Sequence, residues 1–379
     1  MRILLGGIPL GCDNIGDEAI VAGVVGMLKE TLPGVELTVA TNDPATAGLL
    51  GVGVVPPFGF LDIGFDGFAA EARRHDAYIW CGATGLSDYP HVALALMEIA
   101  QRAGVATYVW GVGMDDELNP VFFKAHGRRL ALLKMLGLVG AYESYLQSRL
   151  KRRIARVLPR CRGVWLRDPQ SAAKLATMGF PGARVAADSA ILLSASNTQS
   201  NTQSNNQTIK QSNNHTLGLC ISTQRQVADL DGVKGLIAAV RESGSRVLGI
   251  PMNPKTDRAL LERLGVECIP GTTPKDVMDA AANCDVVLSS RLHLLILAAN
   301  AGTPGLGIAR GSKLANWLSN FGEGVVGSVY DCDWKAVTQR VLAALKTCGD
   351  WKERRESAYH VLNARLEKAR MELAEKLKE

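Results

Sequence analysis

Long apolar runs are missing from this chain. No stretch of about 18 residues escapes a charge, a glycine or a proline, which argues against a membrane-spanning helix. Cysteine is present but unpatterned. Cys12, Cys81, Cys161, Cys220, Cys268, Cys284, Cys332 and Cys348 are scattered with no Cys-x-x-Cys among them, so neither a zinc knuckle nor a disulfide framework is expected. Reduced thiols in a cytoplasmic protein fit that usage. Proline is sparse, 15 against 39 glycines, as suits many tight turns between buried strands. With 21% charged and 47% hydrophobic residues, the composition excludes a mainly disordered polymer. The opening Met1–Ile8 lacks the longer apolar region and small-residue cleavage site of a signal peptide, and reads as a first buried strand. At 379 residues the chain is long enough for two domains of ordinary size.

Acid is scarce in one window. Between Pro120 and Arg162 eleven basic residues face one acid, Glu143, a local +10 in a chain of net +5, which leaves the remainder at −5. Two readings stand for such a window: a solvated helical face, or a surface for an anionic partner. Leu130, Leu133, Leu136, Leu138, Tyr142, Tyr145, Leu146 and Leu150 interleave the charges, as in an amphipathic helix lying in a membrane interface. The expectation is peripheral contact of 120–162 with anionic lipid. Nucleic acid is not expected, because no binding module is present and two nearby tyrosines make a poor stacking platform.

Short β-branched runs recur at the spacing of an α/β protein. Examples are Ile3–Ile8, Ala77–Cys81, Thr107–Val112, Val164–Arg167, Val185–Leu193, Leu217–Ser222, Val286–Ser289 and Gly305–Ala309. Between them lie stretches with helical periodicity, such as Asp17–Leu32, His91–Ala103, Lys255–Leu264 and Leu292–Ala301. Nearly continuous apolar strands alternating with helices predict parallel sheets covered on both faces. Two such sets predict two Rossmann-like domains facing a cleft. The expected division is 1–193, a linker or surface loop at 194–216 made almost wholly of Asn, Gln, Ser and Thr, then 217–349, then a helix over 350–379 packing back on the body. Leu362, Leu366, Leu373 and Leu377 mark the apolar face of that last helix.

Several strand-to-helix junctions carry candidate chemistry. The first, Gly6 to Glu18, is neither a dinucleotide fingerprint nor a P-loop. It still sets glycines near a ligand's path, with Asn14, Asp17 and Glu18 at a helix start; Asp17 and Glu18 also suit the helix dipole in their own right. Trp80–Leu86, containing Gly85, and Trp110–Met114 are glycine-rich strand ends, and ligands in open α/β sheets bind outside such ends. Arg167 and Asp168 close another strand before Pro169, where Asp168 also reads as an N-cap. The most specific signal is Ser289-Ser290-Arg291-Leu292-His293 opening a helix that is apolar nearly all round. Either serine can cap that helix. Its N-terminus favours an anion, and Arg291 offers a fixed fork for phosphate or carboxylate.

The order of these motifs (GxxNxGDE, a glycine turn after the third run, WGVG, LRDxxS, ADSA, then SRLHLLILAANAGTP) resembles the polysaccharide pyruvyl transferase family, in particular the branch modifying cell-wall polymers that anchor surface-layer proteins. The resemblance spans about residues 1–330. Ile8, Pro9 and Leu10 stand where that family has aromatics, and GIARGSK lacks its tyrosine while Lys313 keeps its basic position. Membership implies a GT-B-like pair of Rossmann-like domains and transfer of a pyruvyl group from phosphoenolpyruvate to a sugar as a ketal. It implies no cofactor and no metal. The C-terminal domain is then the phosphoenolpyruvate side and the N-terminal domain the acceptor side, with a lipid-linked sugar as acceptor at the inner membrane face.

Under that resemblance His293 and Arg291 are the expected catalytic residues. Asn14, Asp17, Glu18, Gly85, Arg167, Asp168, Ser290 and Lys313 are the expected binding residues. A histidine can serve as acid and then base near neutral pH. Two alternatives stay open. One is a sugar-nucleotide glycosyltransferase of similar architecture, against which no convincing Glu follows the RLH motif. The other is a catalytically silent sugar- or membrane-binding member of the fold.

Overall fold

The computed structural model describes residues 1–193, 215–222, 229–347 and 349–379. Nearly all of the expected linker, 194–214, lies outside the described residues. The chain divides into two units, one of Met1–Cys12, Val24–Ser189 and Leu362–Glu379, the other of Asp13–Gly23 and Ala190–Val361. No described helix is long and apolar enough to cross a membrane.

In the first unit the strands are β1 (Arg2–Leu10), β2 (Glu36–Thr41), β3 (Gly53–Val55), β4 (Ala77–Cys81), β5 (Ala106–Val112), β6 (Gly163–Leu166) and β7 (Arg184–Val185). They form a parallel sheet in the order β3-β2-β1-β4-β5-β6-β7. All five residues of β4 are buried, as both-face coverage demands. Trp80, Trp110 and Trp165, one from each of three adjacent strands, are fully buried. Helix Pro90–Arg102 covers one face with Val92, Leu94, Leu96 and Met97, and its first turn is opened by Pro90. The end of helix Trp351–Lys378 also belongs here: Trp165 Nε1 donates to Glu372 (3.0 Å), and Leu366, Leu373 and Leu377 are buried.

In the second unit the strands are β8 (Thr216–Cys220), β9 (Arg246–Gly249), β10 (Glu267–Cys268), β11 (Val286–Ser289), β12 (Gly305–Ala309) and β13 (Gly327–Ser328). Their parallel order is β10-β9-β8-β11-β12-β13. Both sheets therefore reverse direction at one point, between β1 and β4 and between β8 and β11, which is the doubly wound pattern. Leu219, Ile237, Leu261, Val286, Leu288 and Val337 build the second core.

One expected strand needs correction. The run Val185–Leu193 is extended only at β7 and turns into a 3-10 helix at Ser189–Leu192. The cause is polar: Asp188 and Ser189 are buried and serve side chains, Asp188 facing Arg167 (3.7 Å) and Ser189 Oγ accepting from Trp110 Nε1 (3.0 Å).

Candidate active site

In the second unit β11 and β8 end at the point where the strand order reverses. Beyond β11 the chain turns on Ser289, whose Oγ accepts the Arg291 N–H (2.8 Å) and donates to the Arg291 carbonyl (2.9 Å). Ser290 Oγ accepts the N–H of Ser222, just past β8 (2.9 Å). Neither serine caps the helix, contrary to the sequence expectation. The helix runs Leu292–Asn300 with Arg291 in the cap position and no side-chain cap bond, because the Ser289 hydroxyl is committed to the turn and the Ser290 hydroxyl to Ser222.

Arg291 does not present an open fork. Its Nε donates to Asp257 Oδ2 (3.0 Å) and its Nη2 to Asp257 Oδ1 (2.8 Å), a bidentate pair. Asp257 is fully buried and also accepts the Asn253 N–H (3.0 Å). Burial by itself lowers the pKa of the Arg291 guanidinium, but Asp257, with Cys220 and Asp17, outweighs it and holds the group above its ordinary value. The same Asp257 pushes up the buried Cys220 thiol, after desolvation, which is the larger cause.

His293, half-buried, projects from the first helical turn against Gly16. A Cβ at position 16 would lie 2.6 Å from His293 Cγ, so glycine is required there by the imidazole and not by backbone angles. The loop carrying Gly16 is held to this unit by the Ile15 N–H donating to the Met252 carbonyl (3.1 Å) and by an Asp13–Lys255 ion pair (2.5 Å). Asp13 itself has a left-handed backbone, φ 57°. Within the loop Asn14 Nδ2 donates to Asp17 Oδ2 (2.8 Å), and Asn14 Oδ1 accepts the Gly16 N–H (3.3 Å). Asp17 is buried and its charge is felt at Arg291, so it does more than complement the helix dipole. Glu18, half-buried, follows in the same turn. The structure thus brings Asn14, Asp17, Glu18, Ser290, Arg291 and His293 into one unit, from two motifs far apart in the chain.

Sequence reasoning missed three members of this unit. Asp257 sits in the first turn of helix Thr256–Arg263, where an acid looks like ordinary dipole complementation. Arg310, buried at the end of β12, reaches Ser222 Oγ with Nη1 (3.3 Å). The available signal was a cation placed directly after an apolar strand. Ser222 itself had none. Lys313 lies in the first turn of helix Ser312–Leu318.

In the first unit the two glycine-rich turns after β4 and β5 lie beside the Arg167–Asp168 turn after β6. Gly82 and Ala83, both left-handed (φ 77° and 59°), make a turn in which the Gly82 N–H donates to Trp110 and the Ala83 carbonyl accepts from Gly113 (both 2.7 Å). Asp115 N–H donates to Ser87 Oγ (3.0 Å) and Met114 N–H to Ser171 Oγ (2.9 Å). Gly85 is set by packing, since a Cβ there would lie 2.6 Å from the Trp80 ring. Asp168 caps helix Pro169–Thr177 through the Ser171 N–H (2.6 Å). Arg167, buried against Gly113, donates from Nε to Asp168 Oδ2 (3.2 Å) and faces Asp188. Burial opposes its charge, yet Asp168 and Asp188, with Asp115, hold its pKa above the ordinary value. Arg167, buried, and Asp168, partly buried, are therefore brought together as an ion pair bracing these turns.

Two α/β units with this strand order define a GT-B-like architecture, and solved structures bear the likeness out. Alr3699/HepE from Anabaena, in complex with UDP-glucose, matches at TM-score 0.62 and 13% identity, covering 100% of this chain and 99% of that one. UDP-GlcNAc 2-epimerase from Neisseria meningitidis, bound to UDP-GlcNAc, matches at 0.61 and 12%, covering 98% and 100%. MnaA from S. aureus, with UDP, matches at 0.58 and 10%, covering 96% and 95%. A comparison with curated proteins found no significant match. The sequence itself is more specific than the fold: residues 14–312 match the model of the polysaccharide pyruvyl transferases, and the chain belongs to that family.

Proposed function

We propose that the second unit binds phosphoenolpyruvate, and that the protein transfers its pyruvyl group to two hydroxyls of a sugar in a cell-surface polysaccharide precursor. The observation that carries this reading is His293 seated on Gly16 in the first turn of a buried helix, next to an arginine clamped by Asp257. Within a pyruvyl transferase such a site suits a donor with a carboxylate and a phosphate. Helix N–H groups, the fixed charge of Arg291 and the cations Arg310 and Lys313 supply anion recognition.

The chemistry asks for little beyond proton transfer. A proton added to C3 of the donor makes a methyl group and leaves C2 electrophilic. One sugar hydroxyl adds at C2 and gives up its proton. The bond from C2 to the phosphate oxygen then breaks, phosphate departs, and a second hydroxyl closes the ketal. Of the two hydroxyl protons, one ends on the methyl group and one on inorganic phosphate. His293 is the group suited to carry them. Asp17, oriented by Asn14, keeps negative charge near Arg291 and so helps hold the guanidinium in place. The first unit, with the braced turns around Arg167 and Asp168 and with Gly85, is the acceptor side in this reading. The acceptor is a lipid-linked sugar, which places the protein in the cytoplasm at the membrane face.

A second reading, use of a UDP-sugar, is favoured by the fold neighbours solved with UDP-glucose and UDP-GlcNAc. Isothermal titration distinguishes the two. Phosphoenolpyruvate is expected to bind the parent and to bind Arg291→Lys far more weakly, because a point charge cannot keep the bidentate pair. Binding of UDP-glucose with no binding of phosphoenolpyruvate would favour the second reading.

A further inference from the structure

Most of the basic window folds as helices of the first unit. Helices Pro120–Phe123, Gly127–Met135 and Val139–Val157 follow one another there. The last is anchored by Leu150, Ile154 and Val157, which are buried. Helix Gly127–Met135 has no buried residue; Met135 is 76% exposed and Leu132 52%, and Val121, Leu136 and Leu138 are exposed beside them in sequence. Soluble surfaces rarely leave so many large aliphatic side chains together in water. Arg128, Arg129 and Lys134 lie on the same helix. Next to it is a groove of about 900 Å³ whose walls include Phe122, Tyr145, Arg149, Arg152, Arg153 and Arg156. Glu98, the acid in that groove, is already shared by Arg153 (3.3 Å) and Arg156 (3.1 Å). Arg149 instead stacks on Tyr145, 5.9 Å from the ring centre, and Arg152 donates only to the Ser148 carbonyl (3.4 Å) among its described hydrogen bonds. The field is positive enough to help lower the His91 pKa, where Arg153 adds to the larger effect of burial.

We propose that this face docks on an anionic phospholipid bilayer, with the aliphatic side chains of 121–138 entering the headgroup boundary and the arginine groove taking lipid phosphates. Charge complementarity selects the partner. A second copy would oppose like charges across the contact, and nucleic acid has no use for Leu132, Met135 and Leu136. Exposed aliphatic residues sharing a helix with Arg128, Arg129 and Lys134 are what an interfacial helix needs. The proposal rests on this surface alone and stands apart from the donor chemistry.

The test is co-sedimentation of the full chain with vesicles of phosphatidylcholine, and of phosphatidylcholine mixed with phosphatidylglycerol, at low and high salt. The parent is expected to prefer the anionic vesicles and to lose them as salt rises. Arg149→Gln with Lys151→Gln and Arg152→Gln should weaken that binding by about two orders of magnitude at low salt. Leu132→Gln with Met135→Gln and Leu136→Gln should weaken it while leaving its salt dependence. All six positions are exposed, so unchanged thermal melts are expected and identify the loss as one of binding. Absence of parent binding at low salt would overturn the proposal, as would equal binding by the variants. Self-association abolished by the Met135 set, or tighter binding of single-stranded DNA than of vesicles, would replace it with another partner.

Discussion

Asp257 meets Arg291 with both carboxylate oxygens, and both partners are largely out of water. Removing one charge from such a pair strands the other, at a cost of about 3–5 kcal/mol. Asp257→Asn is therefore expected to lower the melting temperature markedly and to weaken phosphoenolpyruvate binding; an unchanged melt and an unchanged affinity would show that the pair is ornamental. His293 has a different part. If it moves the protons, His293→Gln should cut kcat by about 10²–10⁴ with little change in stability or in donor affinity. Gly16→Ala, which drives a methyl group into the same imidazole, should reproduce the loss of kcat. Near-parent rates in both variants would give His293 a structural role. Arg291 and His293 were legible because charged residues rarely open an apolar helix. Asp257 was not, since its partner is 34 residues away and nothing local distinguishes it from any acid in a helix's first turn.

At the scale of elements, helix Pro274–Ala282 offers a clean check on local encoding. Thr273 Oγ1 accepts the Asp276 N–H (3.2 Å) and Asp276 Oδ2 accepts the Thr273 N–H (3.0 Å), a reciprocal capping box. The hydroxyl of Thr273, and then the backbone N–H groups of Thr273 and Thr272, hold the Asp276 carboxyl below its ordinary 3.8. A depressed carboxylate stabilises the fold above its unfolded pKa, and that contribution is lost as pH falls through the folded value. Thr273→Ala is expected to cost about 0.5–2 kcal/mol at neutral pH, with a difference from the parent that shrinks in acid. Urea melts at neutral and acid pH measure this, and a pH-independent difference would contradict it. The central strands were legible for a simpler reason: β4 and β11 are buried throughout, and apart from Ser289 at its end β11 is wholly aliphatic. β3 escaped notice, being three residues at a sheet edge inside a glycine-valine run. Val185–Leu193 misled because apolar content alone cannot show that Asp188 and Ser189 turn inward to serve Arg167 and Trp110.

For the whole molecule, alternation of strands and helices was enough to read two doubly wound units, and motif order was enough to read the family. What pattern could not show is which unit takes the first loop. The chain from Asp13 to Gly23 groups with the second unit because Ile15 bonds Met252 and Gly16 lies under His293, contacts across more than half of the chain. That grouping brings the GDE and RLH motifs together in one unit, and the proposed donor chemistry depends on it. The most direct measurement incubates the protein with phosphoenolpyruvate and a panel of lipid-linked or aryl β-N-acetylhexosamines, following phosphate release and product mass. The account predicts phosphate released only with an accepted sugar, in step with a mass gain of one pyruvate less one water. Phosphate release without that mass gain, or a hexose transferred from UDP-glucose under the same conditions, would contradict it.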